Sequence, residues 1–291
     1  MSISIWFETF NNNLRMSTDT VDKISYRYKR ITKQLNNDFW DSESDTLHSL
    51  YVGSYGRGTE IHTSDIDMIM QLPYATYAQY HAYITNGQSA LLQAVKTSIE
   101  KTYKPTYIRA DGQVIKLDFN DGINFEVVPA FINTDGSFTF PDSNDGGRWR
   151  TTNPKPEIDE MTKANNNCNK NLKRLCRMGR AWKETWDVPI GGLLIDTLAF
   201  NFLNDYQYKD KSYIYYDYIS RDFFEYMKDQ KADQQYWLAV GSNQYVYTKG
   251  NFQYKALRCY NISLEAIAKE KDYPTTAKSK WREIYGTKFP S

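Results

Sequence analysis

Cysteine and histidine are both scarce in this chain. Its three cysteines, Cys168, Cys176 and Cys259, form no C-x-x-C pair, and its three histidines, His48, His62 and His81, do not cluster with them. That excludes a disulfide framework and a structural zinc site, and it fits a reducing compartment. Long apolar runs are also lacking: no uncharged stretch approaches the ~20 residues that span a bilayer. The opening Met1-Ser2-Ile3-Ser4-Ile5-Trp6 has no basic segment before an apolar run, so no secretory leader is expected and a cytoplasmic protein is. Excess charge of one sign is missing too. Thirty-six basic residues face 35 acidic ones, for a net +1. No membrane association and no stable hold on long nucleic acid are therefore expected, although a small anionic substrate needs only a local cationic pocket. Internal repeats and low-complexity tracts are absent. What remains is 291 residues, 41% of them hydrophobic, enough for a substantial core in one large domain or two joined lobes. The 24 tyrosines are assigned mostly to packing.

Periodicity divides the chain into two parts. Val21, Ile24, Tyr28, Ile31 and Leu35 recur at helical spacing and predict a long amphipathic helix from Ser17 to about Leu35. A short strand is predicted over Leu47–Val52, another over Asp65–Met70, and a helix from Tyr77 to about Tyr103. Tyr107–Ala110 reads as a strand. Val114–Phe119 and Ile123–Phe131 read as a hairpin joined through Asn120-Asp121-Gly122. Asn133–Pro156, rich in Gly, Asn, Asp and Pro, reads as a long loop without regular structure. Helices follow over Asn166–Glu184, Gly191–Tyr206, Ser220–Lys228, Asn251–Lys271 and Lys278–Tyr285. The expected class is α/β (α+β). Residues 1–160 would form an N-terminal lobe with a mixed sheet, residues 161–291 a helical lobe, and a cleft between them would be the natural ligand site.

The chemistry concentrates in Gly53-Ser54-Tyr55-Gly56-Arg57-Gly58-Thr59, followed by Ser64-Asp65-Ile66-Asp67-Met68-Ile69. Side chains alternate along a strand, so Asp65 and Asp67 share one face while Ile66 and Met68 enter the core. Two carboxylates that close repel, and a cation between them relieves the conflict. Hard oxygen ligands suit Mg²⁺ or Mn²⁺, which commonly bind phosphate oxygens as well. The loop before them offers backbone N–H groups and hydroxyls to phosphate. The combination reads as metal-dependent nucleotidyl transfer. A third carboxylate is expected on a neighbouring strand. Glu126, an acid in the otherwise apolar Asn124-Phe125-Glu126-Val127-Val128-Pro129-Ala130, is the candidate. Asp118 is its rival and reads better as an acid at the exposed end of a hairpin. Along Asn166–Glu184, Lys170, Lys173, Arg177 and Arg180 form one stripe and Leu172, Leu175, Gly179 and Trp182 another.

G-S-x-x-x-x-T, then D-I-D, then E-V-V-P-A resembles the DNA polymerase β-like nucleotidyltransferase superfamily, and within it the bacterial cGAS/DncV-like enzymes, the CD-NTases. Gly146-Gly147-Arg148-Trp149-Arg150-Thr151-Thr152-Asn153-Pro154 and the ending Lys280-Trp281-Arg282-Glu283-Ile284-Tyr285-Gly286-Thr287-Lys288-Phe289-Pro290 are similar to segments of that branch. The resemblance implies that Asp65, Asp67 and Glu126 hold two Mg²⁺ ions, with Glu126 standing where the family often has Asp. It implies that Gly53, Ser54 and Thr59 serve the donor nucleotide. Arg180 would take the place of a family lysine against the triphosphate, with Lys183 behind it. The family's Ser-Tyr at the start of the next helix is Gly191-Gly192-Leu193 here, so the hydroxyl is missing. The implied activity joins NTPs such as ATP into a cyclic oligonucleotide second messenger with release of pyrophosphate, in bacterial anti-phage (CBASS) signalling, with room for a regulatory protein partner. Two other readings stay open: an enzyme making linear 2′-5′ oligonucleotides or modifying RNA or protein, and a non-enzymatic nucleotide-binding module.

Overall fold

The computed structural model describes residues 2–61, 65–103 and 107–291. Its chain forms two compact units. One comprises Met16–Gly56 and Thr63–Lys155; the other comprises Met1–Arg15, Arg57–His62 and Pro156–Ser291.

The first unit is built on a seven-stranded mixed sheet. Its helices are α2 (Thr18–Trp40), α3 (Gly53–Arg57), α4 (Tyr74–His81) and α5 (Gly87–Glu100). Its strands are β1 (Ser49–Tyr51), β2 (Ile66–Gln71), β3 (Tyr107–Asp111), β4 (Val114–Asp118), β5 (Phe125–Ile132), β6 (Phe138–Asp142) and β7 (Arg148–Thr152). The main path runs β1-β2-β5-β4-β3, with β6 joining the far end of β5 and β7 joining β6. β2 and β5 run parallel, and every other pairing is antiparallel. Ser17 caps α2 by accepting a hydrogen bond from the Thr20 amide at 3.1 Å. Ile24, Tyr28, Ile31 and Leu35 of α2 and Leu91, Leu92, Val95 and Ile99 of α5 share a core with Ile66, Met68, Met70, Ile115, Leu117, Phe125 and Val127. The alternate residues of those same strands face the other way.

The second unit is helical. It contains α1 (Ile3–Asn13), α6 (Pro154–Asn167), α7 (Asn171–Trp186), α8 (Gly192–Asn204), α9 (Tyr216–Lys228), α10 (Gln253–Lys269), α11 (Pro274–Tyr285) and a small hairpin of β8 (Tyr236–Leu238) and β9 (Tyr245–Tyr247). Phe7 of α1 packs edge-on against Trp281 and Phe289, each with ring centroids 5.2 Å away, and Phe10 lies 4.7 Å from Tyr285. α1 thus belongs with the last helices of the chain. α7 and α8 approach closely at Gly179, where an added Cβ would sit 2.7 Å from Ile195.

Several elements differ from the sequence expectation. Asn133–Pro156 is not an unstructured loop: it holds the β6–β7 hairpin and the start of α6. The helix expected from Tyr77 to Tyr103 is two helices, divided where Asn86 turns left-handed at φ 61°. α6 and α7 are likewise parted by Asn169 and Lys170 at φ 49° and 64°. Of the motif ahead of β2, Ser64 lies outside the described residues, as does His62.

One buried acid in the helical unit has a measurable cost. Asp217, in the first turn of α9, is 3% exposed, and its Oδ1 has no partner. Burial pushes its carboxyl up to about 6. The unfolded side chain ionises near 3.8, so the cost builds as pH rises from about 4 to about 6 and is constant above. Two pKa units at ~1.4 kcal/mol each come to roughly 3 kcal/mol. Asp217→Asn is expected to raise unfolding free energy by up to that amount at pH 7 and to change little near pH 3.5. Equal gains at both pH values in urea titrations would assign the effect to packing instead of charge.

Candidate active site

The parallel register of β2 and β5 sets Asp67 directly opposite Glu126. Both are half-buried and alternate with fully buried Ile66, Met68, Phe125 and Val127, so the two acids share the sheet face turned away from α2 and α5. Asp65 precedes β2 by one residue, in phase with Asp67, and is exposed. The structure therefore brings two of the three expected acids side by side and puts the third at the open end of the same strand. Among the described residues no group of three carboxylate, imidazole or thiol side chains converges closely enough to enclose a metal ion. Glu126 is instead turned to a cation already present. Lys116 Nζ lies 3.3 Å from its Oε1 and 3.0 Å from Asp111. The hydrogen bond to Asp111, and after it the Glu126 charge, raise the Lys116 pKa.

Asp118 shares this face two residues from Lys116, but its carboxylate is held by Arg109 at 2.7 Å. Lys116 was not foreseen. Its signal was available in Val114-Ile115-Lys116-Leu117-Asp118, a strand alternating charged and apolar residues, whose charged side must face the same way as Glu126.

β1 delivers the glycine-serine turn to these acids. Its register with β2 puts Val52 opposite Asp67, and the Val52 amide donates to the Asp67 carbonyl at 2.9 Å. Gly53 follows at φ 60°, and a Cβ there would lie 1.8 Å from Asp67 Oδ2. Only glycine lets the backbone lie against that carboxylate and turn into α3. Ser54 is the next residue, half-buried in the first turn of α3. The segment read as a loop is thus a single helical turn.

Thr59 and Arg180 are placed elsewhere. Thr59 is fully buried, and its hydroxyl donates to Asp196 Oδ2 at 2.9 Å. Arg180 donates to both Asp196 oxygens, at 2.5 and 2.9 Å, and to the Gly192 carbonyl at 3.2 Å. Arg57, the last residue of α3, donates through Nε to the same carboxylate at 2.9 Å and pairs with buried Glu157 at 3.3 Å. Burial alone would push the Asp196 carboxyl up, but the guanidinium groups of Arg180 and Arg57 hold it below the usual aspartate value. Thr59 and Arg180, expected beside the donor nucleotide, are thus joined through Asp196 in a buried ionic network. Lys183, one turn further along α7, is half-buried and not part of that network.

Residues 1–165 match the family described as the Second Messenger Oligonucleotide or Dinucleotide Synthetase (SMODS) domain. The chain belongs to this family. A probable cyclic nucleotide synthase from Bacillus cereus (strain VD146) is 23% identical over 279 residues, covering 82% of this chain and 81% of that protein. Among solved structures, Escherichia coli MS115-1 CdnC in complex with HORMA-deltaN superposes with a TM-score of 0.70 at 13% identity, covering 99% of this chain and 98% of that one. Escherichia coli DncV in its 3′-deoxy GTP bound form gives 0.66 at 12% identity over 96% and 94% of the two chains. The fold is that of the cGAS/DncV-like nucleotidyltransferases, and this SMODS protein is a nucleotidyltransferase that synthesises oligonucleotide second messengers. No described helix is long and apolar enough to cross a membrane.

Proposed function

We propose that this SMODS enzyme joins NTPs into a cyclic oligonucleotide with release of pyrophosphate, and that Asp65, Asp67 and Glu126 are its metal-binding acids. The observation that carries the reading is the register pairing of Asp67 with Glu126, with Gly53 packed against the Asp67 carboxylate. The donor set is all carboxylate oxygen, which suits Mg²⁺ and tolerates Mn²⁺, with two ions as the expected number. When bound, such ions acidify an attacking ribose hydroxyl and neutralise charge on a leaving pyrophosphate.

The chain's own contributions follow from its geometry. β2 and β5 fix the spacing of Asp67 and Glu126 through main-chain hydrogen bonds, so the acids are pre-positioned by the sheet. Gly53 brings main-chain N–H groups and the Ser54 hydroxyl beside them, where they would bind donor phosphates. Lys116 pairs with both Glu126 and Asp111, so Asp111 would still hold it with Glu126 serving as a metal ligand. ATP and GTP are the expected class of substrate, as the DncV and CdnC neighbours are solved with 3′-deoxy GTP and ATP. The CdnC–HORMA complex supports a regulatory protein partner, and with it a role in bacterial anti-phage (CBASS) signalling. Lys183 is left as the cation of α7 to test against the donor triphosphate.

The third acid decides the site. Glu126→Gln is expected to lower product formation from labelled NTPs and Mg²⁺ by at least ~100-fold, about 2.7 kcal/mol of transition-state stabilisation. Asp118→Asn should keep most of the activity, because it disturbs only the pair with Arg109. The reverse pattern would move the third ligand to β4.

A further inference from the structure

The helical unit has a second concentration of charge that the catalytic reading does not use. A hollow of about 470 Å³ is lined by Glu8, Asn11, Asn12 and Arg15 from the end of α1, by Asn165, Lys170, Lys173, Arg174 and Arg177 around the start of α7, and by Tyr213. Five cations thus face one acid. A structural ion-pair cluster would supply counter-charges, and here they are largely missing. Lys170 bonds to the Asn166 amide oxygen, Lys173 to the Thr162 hydroxyl at 3.1 Å, and Arg174 to the Asn169 carbonyl and Asn171 amide oxygens. These partners are all neutral. Only Arg177 has a carboxylate in range, Glu60 at 3.5 Å, and among the described residues none pairs with Arg15, Lys170, Lys173 or Arg174.

Gathering like charges without counter-charges opposes folding. Burial, and then the neighbouring Arg177, lower the Lys173 pKa. The first-turn dipole of α7 adds further positive potential. Lys170 also holds φ 64°, a conformation in which Asn or Gly is cheaper. The arrangement is costly as it stands, and an anion would relieve it.

We propose that this hollow binds a small polyanion carrying several phosphate groups, at a site made of different residues from the acid face of the sheet. Its volume is that of a nucleotide-sized ligand. The chain's net charge of +1 provides no general hold for long nucleic acid, so the charge is concentrated for a compact ligand. Arg174 lies 4.9 Å over the Tyr213 ring and occupies its face, so recognition rests on charge more than on base stacking.

Inorganic tripolyphosphate is the probe, titrated calorimetrically in EDTA so that no divalent ion can load the acid site. The wild-type protein and the Asp65→Ala/Asp67→Ala protein should bind it equally, with affinity falling as salt rises. Arg15→Ala with Lys170→Asn, both at exposed positions and the latter suited to its backbone, should weaken binding by about 30-fold or more. Lys170→Arg should retain it. Affinity unchanged in the double variant, or no binding to the wild type at millimolar concentration, overturns the proposal. So does a DNA or RNA duplex that binds and is lost with Arg15 and Lys170 while tripolyphosphate fails to bind: that result would assign the hollow to a nucleic-acid surface.

Discussion

Asp65→Ala combined with Asp67→Ala is expected to reduce second-messenger synthesis by more than about 1000-fold, equivalent to ~4 kcal/mol of transition-state stabilisation. The protein should remain folded. Asp65 is exposed, and Asp67 lies on the face of β2 opposite the core of Ile66, Met68 and Met70. Removing two like charges that repel one another should leave the melting temperature unchanged or slightly higher. Product formation from NTPs and Mg²⁺, read with circular dichroism on the same sample, gives both quantities. A folded double variant that makes product at the wild-type rate would end the catalytic reading of these acids.

The second large effect concerns stability. Asp196 is the only carboxylate in contact with Arg180 among the described residues, and it also accepts from Arg57 and Thr59. Asp196→Ala would strand the buried Arg180 guanidinium and leave Arg57 with Glu157 alone, which typically costs about 3–5 kcal/mol. The urea midpoint should fall accordingly. The pH dependence has a definite sign. The folded carboxyl titrates below the ordinary aspartate value, so its contribution is present above pH ~4 and is lost as pH falls through the folded pKa. That acid step should disappear from the variant. Arg180→Ala should likewise act first on the midpoint. An unchanged midpoint with a raised KM for NTP would return Arg180 to the donor triphosphate and refute its structural assignment.

These residues show what could be read from sequence and what could not. Asp65, Asp67 and Glu126 were legible because strand alternation is local: an acid every second residue in an apolar run announces a polar face. The β4–β5 hairpin was legible from Asn120-Asp121-Gly122 in the same way. The contact of Arg180 with Asp196 was not legible because that partner is decided by tertiary packing. Asp196 lies 16 residues away on another helix, and Arg57 lies 139 residues from the same carboxylate. The basic stripe on α7 could not reveal which of its members faced a buried acid. The β6–β7 hairpin was hidden because Gly, Asn, Asp and Pro mark turns but do not say whether strands flank them. α1 ends in Phe10-Asn11-Asn12-Asn13 and has no side-chain cap, so little in its own sequence announces it. Phe7 and Phe10 find their ring partners far along the chain, in Tyr216, Trp281, Tyr285 and Phe289.

That last pairing governs how the chain can be made. α1 leaves the ribosome well before Trp281, Tyr285 and Phe289, whose rings pack on Phe7 and Phe10 from about 270 residues further along the chain. At ~5–20 residues per second, the 270 or so residues between them leave those aromatic faces of α1 without these partners for about 14 to 54 s. During that interval the sheet unit, whose segments are complete by Lys155, can already close. Expression yield should therefore be limited by protection of the nascent α1 from aggregation, and it should respond to translation rate and chaperone supply more than to substitutions in the sheet.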